Sequence, residues 1–251
     1  MRYRKKKNYW RQVIRPKEYI VGFIQGLVLI LIISYLFYES ILGAILLSPY
    51  LIWYLKSWEK ERIKKKKQEF VWQFQEAIQA LSTALKVGYS LENAMKEALK
   101  DLQLIYKKDE LIIREFRYMT HQLDMNLPVE RVLNEFALRT RQEEVQTFVT
   151  VFVMAKRAGG DMIGIIQNTV QQMSEKIEIK KEIETMLSAK KLEFQVMSVI
   201  PLAMIGYMKI SFSGFMDVLY DSIVGLAVMT ICLCVYAIAY AAGKRIIEIE
   251  V

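Results

Sequence analysis

Residues that could do chemistry are few in this chain, and their spacing argues against catalysis. One histidine, His121, stands among 251 residues. It has no cysteine or carboxylate four residues to either side, with Asp124 three residues on, so nothing prepares it as a base or ligand. The acidic pairs Asp109-Glu110 and Glu143-Glu144 stand at expected helix starts, where the helix dipole favours negative charge. Cys232 and Cys234 sit inside an apolar block, which implies ordinary buried thiols and no disulfide framework. The run Gly159-Gly160-Asp161 has two readings. It could cradle a phosphate at a helix N-terminus, or it could close one helix in a left-handed turn and cap the next. The second is the plainer and is adopted. No G-x-x-x-x-G-K-[ST], G-x-G-x-x-G or H-E-x-x-H run occurs. The chain therefore has no P-loop for ATP hydrolysis, and any energy it uses must come from a partner. The expectation is a protein without catalytic residues, metal or cofactor.

The elements that position these residues are organised around Glu143 to Ile210. A helix ends at Gly159-Gly160 and a much longer one starts at Asp161, whose carboxylate suits an N-cap. Apolar residues at Ile165, Ile166, Val170, Met173, Ile177, Ile183 and Leu187 recur mostly three or four apart, giving one apolar stripe. No Gly after Gly164 and no Pro breaks the run before Pro201. At 1.5 Å per residue, some thirty residues would reach about 45 Å.

Composition explains where that helix leads. The chain is 53% hydrophobic and 25% charged, with a net charge of +8. Such values imply segregation into apolar blocks and water-facing blocks, with basic runs beside the apolar ones, as at an anionic membrane surface. Residues 1–18 form a basic N-terminal segment carrying Arg2, Arg4, Lys5, Lys6, Lys7, Arg11, Arg15 and Lys17. Residues 19–37 are long enough to span a hydrocarbon core of about 30 Å. The run is too long for a typical signal-peptide core and lacks a small-x-small cleavage site after it. Residues 41–55 give a second, short span, edged by Trp53, Tyr54 and Trp58, with Pro49 as a candidate kink. The basic run from Lys60 to Lys67 follows. Residues 194–210 give a third span, carrying Pro201 and Lys209, and residues 222–242 a fourth, ended by Lys244-Arg245. The loop between them holds Asp217 and Asp221. Positive flanks put both termini in the cytoplasm, leaving 243–251 as a cytosolic tail. No charged residue lies mid-span, which speaks against a channel or carrier.

Between the hairpins, residues 56–193 read as a cytosolic bundle. Apolar residues at helical spacing run through Phe70, Phe74, Ile78, Leu81 and Leu85, then Leu91, Met95 and Leu102, then Leu111 onward. Breaks at Gly88, Asn126 and Gly160 are 38 and 34 residues apart. Each is a residue that tolerates a left-handed turn, followed by a helix starter: Ser90, Pro128 and Asp161. The fold expected is all-α: four transmembrane helices and a six-helix bundle of three αα-hairpins. Gly88, Asn126, Gly159, Gly160 and Asp161 are its turn-setters.

This layout resembles the type II secretion system F-domain family of membrane platform proteins. The residues that carry the likeness are Phe148-x-x-x-Phe152, Ala158-Gly159-Gly160-Asp161, Ile165-Ile166, the charged helix from Lys176 to Glu184, and Pro201. The earlier turn from Val87 to Ala94 resembles the family's G-x-S/P-L-x-x-A-L pattern; Asn126-Leu127-Pro128 departs from a second copy of it. A single bundle flanked by two spans on each side is similar to TadB/TadC platforms of tight-adherence (Flp) pili. The resemblance implies the bacterial inner or plasma membrane, a cytoplasmic hexameric secretion ATPase acting on the bundle, a second platform protein, pilin subunits and homo- or hetero-oligomers. It offers no catalytic residues. Lys176, Lys180 and Lys181 are candidate docking charges, and anionic lipid, not nucleic acid, is the partner of the basic runs. A stand-alone signalling or scaffold bundle is the alternative besides a carrier.

Overall fold

The computed structural model describes residues 9–12, 16–39, 48–158, 161–212, 214, 219–220 and 222–247. The helices are α1 (Tyr9–Gln12), α2 (Pro16–Tyr38), α3 (Ser48–Val87), α4 (Leu91–Ile105), α5 (Leu111–Asp124), α6 (Val129–Thr140), α7 (Glu143–Ala158), α8 (Met162–Ser211) and α9 (Ile223–Ile247). The described residues contain no strand. Three helices are long and apolar enough to cross a membrane: α2, α8 and α9. The second span expected over 41–55 falls partly outside the described residues, and residues 48–55 form the start of α3. Pro49 lies in the first turn of that helix, where its missing N–H is no loss. Pro201, by contrast, lies inside α8, which runs unbroken for 50 residues through the third expected span.

The chain divides into two units. The first comprises 1–14 and 61–179, the second 15–60 and 180–251. The N-terminal segment groups with the first unit because Tyr9 and Trp10 dock there, and the unit ends near Ile179, beyond which most residues of α8 up to Glu193 are exposed.

Phenylalanine makes the core of the first unit. Phe70 and Phe74 of α3, Phe116 of α5, Phe136 of α6, and Phe148 and Phe152 of α7 are all fully buried. Phe136 sits at the centre, with ring centroids 6.2 Å from Phe70, 5.9 Å from Phe74 and 6.5 Å from Phe116. Phe74 meets Phe148 edge-on at 5.8 Å. Tilted and edge-on rings at these separations gain attraction beyond their buried area. The closest helix pairs are α4 with α5 and α6 with α7. These pairs join across residues 106–110 and 141–142, whereas the Gly88 turn joins α3 to α4 and the Asn126 turn joins α5 to α6. Ala94 and Ala98 on α4 are small enough to permit close approach, while aromatic rings hold α3 further off. Ion pairs fix neighbours antiparallel: Lys96 of α4 to Asp124 of α5 at 2.6 Å, and Lys156 of α7 to Glu130 of α6 at 2.9 Å.

In the second unit the outward faces are apolar, including Ile20, Ile24, Val196, Ile200, Ile231 and Val235. Cys232 and Cys234 are free thiols on exposed positions of α9. Inward, small residues let helices close up. A Cβ on Gly22 would meet the Trp58 ring at 2.8 Å, and one on Gly26 would meet Leu51 and Tyr54 at 2.9 Å. This G-x-x-x-G spacing on α2 lets the start of α3 run antiparallel along it, as small residues do between membrane helices. Gly26→Leu is expected to destabilise the second unit by about 1–2 kcal/mol through overpacking. Thermal unfolding of the purified protein in micelles measures it. At one end of this unit Phe194 of α8 stacks on Tyr240 of α9 at 5.5 Å, and the Tyr236 hydroxyl donates to the Ser198 carbonyl at 2.7 Å. That bond lies one residue from Met197, whose carbonyl loses its helical donor to Pro201, so a neighbouring side chain supports a weakened turn.

Candidate functional site

Of the sequence-expected turn residues, Gly88, Asn126 and Asp161 are described, each at a helix junction of the first unit. Gly88 has φ of +100°. Its N–H donates to Leu85 O at 3.1 Å, and the Tyr89 N–H donates to Ala84 O at 3.2 Å. Asn126, at φ of +59°, repeats the pattern: its N–H donates to Leu123 O at 2.9 Å and that of Leu127 to Gln122 O at 3.2 Å. Both are Schellman closures, in which a left-handed residue satisfies the last helical carbonyls. Ser90 then caps α4, accepting from Asn93 N at 3.4 Å. Asp161 Oδ1 accepts from Gly164 N at 2.8 Å at the start of α8. Gly159 and Gly160 lie outside the described residues. Gly88→Val is expected to cost about 1–2 kcal/mol, since a β-branched residue resists positive φ. Gly88→Asn should lose less. Denaturant midpoints of the two variants test the order.

The three lysines proposed for docking are divided. Lys176 belongs to the first unit and pairs with Glu143 of α7 at 3.3 Å, with both side chains more than half exposed. Lys180 and Lys181 fall in the second unit. His121 is exposed on α5. Among the described residues no group of three or more His, Cys, Asp or Glu side chains gathers to hold a metal.

Two polar clusters escaped the sequence reading. In the first, Glu115 is buried on α5 and accepts from Arg139 Nη2 at 2.8 Å and Nε at 3.1 Å. Its other oxygen accepts from the Tyr9 hydroxyl at 2.7 Å. Burial, then the charge of Glu115, push the Tyr9 hydroxyl far above its ordinary value of 10.0. Trp10 beside it is buried, and its Nε1 donates to Thr140 O at 2.8 Å. The signal available was an aromatic pair set inside a basic run, read there only as charge. In the second cluster, Lys209 near the end of α8 pairs with Glu39 at 3.1 Å and donates to Tyr35 O at 3.1 Å. Its ammonium lies 3.8 Å from the centroid of the Tyr35 ring and 5.1 Å from that of Tyr220. Glu39 has φ of +48°. The Tyr220 hydroxyl donates to Leu36 O at 2.6 Å, closing the same end.

Charge on α6 also responds to pH. The Glu130 carboxylate sits below its ordinary 4.5 because Lys156 donates to it, and Glu135 sits below 4.5 through the bond from Gln122 and then that from Arg131. A depressed folded value gives stability that is present above 4.5 and is lost as pH falls through the folded value. The first unit should therefore weaken on acidification below about pH 4.5, and Lys156→Met should flatten that slope. Thermal melts across the pH range check both.

These features define a helical unit with ordered turns between its helices, joined through α3 and α8 to a unit whose helices are fit to cross a membrane. A protein-family model described as type II secretion system (T2SS), protein F, matches residues 77–209. The match covers more than half of the chain, and the chain belongs to that family. Its members are membrane platform proteins, generally non-enzymatic, that work with secretion ATPases and other platform proteins. No curated protein and no solved structure matches the chain.

Proposed function

We propose that the chain is the platform of a type IV-like pilus or type II secretion machine, of the single-bundle TadB/TadC kind that serves tight-adherence (Flp) pili. In this reading four spans cross the bacterial inner or plasma membrane: α2, the segment 41–55, the end of α8, and α9. Both termini and the first unit lie in the cytoplasm, where the basic flanks favour them. Helices α3 to α8 form a six-helix bundle of three αα-hairpins. A hexameric secretion ATPase works on that bundle, with Lys176, Lys180 and Lys181 as docking charges and Gly159-Gly160 completing the turn end. A second platform protein stands beside it, anionic lipid meets the basic runs, and pilin subunits are lifted into a filament. The chain itself performs no chemistry.

The observation that carries the reading is α8. The family match runs from α3 through α8 as far as residue 209, and α8 is one helix from the turn end into its apolar stretch, with Pro201 the one position inside it that lacks a backbone donor. A helix transmits displacement along its axis because every peptide is tied to the one four residues on. Removing the chain from its own cell should abolish surface filaments while pilin accumulates in the membrane. Filaments of normal number and length without it would contradict the reading.

A further inference from the structure

The arginines of the first unit are set apart from its lysines. Five arginines and no lysine lie between Asp109 and Ala155, and all five fall on α5, on α6 or directly after it. Arg114, Arg117 and His121 are exposed and stand three and four residues apart, on one stripe of α5. Arg131, Asn134 and Leu138 make an exposed stripe of α6, with exposed Arg141 capping its end. Between the stripes the two helices are tied by Arg139 to Glu115 and by Gln122 to Glu135. Arg139 also crosses to the Tyr118 ring of α5, 4.7 Å from its centroid. The stripes therefore border one face, on which Tyr118 is 49% exposed and Leu138 61%. Glu135 holds Arg131 and Glu115 holds Arg139. Among the described residues Arg114, Arg117 and Arg141 make no ion pair.

We propose that this α5–α6 face is a docking surface for an acidic amphipathic segment of a partner protein. Its carboxylates meet Arg114, Arg117 and Arg141, and its apolar residues meet Tyr118 and Leu138. A merely solvated helix face carries both signs, as others in this chain do: Lys65 pairs with Glu61, Lys100 with Glu97 and Lys190 with Glu193 along their own helices. From Leu111 to His121 the exposed ionic charges of α5 are arginines alone, and like charges three residues apart weaken a helix. Arg141 stands at φ of +51°, a conformation that costs any residue with a side chain, and its exposed guanidinium returns no packing. The residue types narrow the ligand. A guanidinium fork takes a carboxylate by two parallel bonds, which an ammonium cannot do. Arginine and tyrosine are also the side chains that anchor protein interfaces. A phosphate-rich surface is served as well by lysine, and the chain gathers its lysines elsewhere, as in the run Lys64 to Lys67. This face is separate from Lys176, Lys180 and Lys181, and its assignment stands or falls apart from the platform reading, which the filament assay tests.

The test puts the photo-crosslinker p-benzoylphenylalanine into the full chain in its own membranes, at Leu138 or, as a control, at exposed Thr150 of α7. Irradiation at position 138 should give a protein adduct that position 150 does not. Mass spectrometry of the adduct should find a segment with more Asp and Glu than Lys and Arg. The yield should fall about tenfold or more in Arg114→Glu/Arg117→Glu, since reversed charges oppose docking. In Arg114→Lys/Arg117→Lys it should fall only about twofold, the charge being kept and the fork lost. Melting should match the parent chain in both, because the substitutions are exposed. Changing the carboxylates of the adduct segment to lysine should restore the yield with the Arg114→Glu/Arg117→Glu chain, which a structural defect would not allow. Undiminished yield from that chain, a neutral or basic segment, or an adduct of two copies of this chain would overturn the proposal. So would an adduct with lipid or nucleic acid alone, or no adduct at position 138 from a chain expressed at its normal level.

Discussion

Phe136→Ala is expected to unfold the first unit at temperatures where the wild type is intact. The ring is fully buried and meets three others, Phe70, Phe74 and Phe116, from two neighbouring helices. Removing it takes away its transfer energy and leaves a cavity whose rigid aromatic walls collapse poorly, a loss of about 3–5 kcal/mol. A unit of this size has a total stability of about 5–15 kcal/mol, so the loss is a large fraction of the whole. Phe136→Leu, which refills most of the volume, should lose only about 1–2 kcal/mol. Hydrogen exchange resolves the effect by location. Protection should fall throughout residues 67–177 in the alanine variant and persist in α9. Protection lost only near residue 136 would show that the rings are not one cooperative core.

The second large effect is an asymmetry at Lys209 and Glu39. The lysine side chain is 11% exposed and the glutamate 46%. Glu39→Gln leaves the more enclosed ammonium without its carboxylate, holding only the Tyr35 carbonyl and two ring faces. A buried charge stripped of its partner is expensive, and after allowing for the half-exposed glutamate the loss is about 2–3 kcal/mol. Lys209→Met instead leaves a carboxylate that can turn outward, so about 1 kcal/mol is expected. The double variant should be more stable than Glu39→Gln alone. Unfolding in micelles, scored on all three, decides the matter; equal losses for the two single variants would mean the pair is solvated from both sides.

Which features the sequence disclosed follows from how local they are. Turn chemistry is local, and Gly88 and Asn126 adopt the positive φ that their residue types suggested. Helical periodicity is also local, and the buried positions Phe70, Phe74, Ile78, Leu81 and Leu85 are those spaced three or four apart. Arg141 was not legible: it takes φ of +51° to end α6, a conformation its side chain does not favour and the α6–α7 junction imposes. The Tyr9–Glu115 bond spans 106 residues, and no window of sequence holds both partners. The same is true of Glu39 and Lys209. Each was read by its immediate surroundings, as a polar break and as a span flank, and only the convergence of α2, α8 and the approach to α9 makes them a pair.

The most direct test of the platform reading is crosslinking in native membranes, purification through a C-terminal tag, and identification of what is retained. The account predicts recovery of a hexameric secretion ATPase, crosslinked to residues of the first unit, together with a second platform protein. Recovery of lipid and self-contacts alone, from a chain expressed at its normal level, would contradict it and leave a stand-alone membrane module.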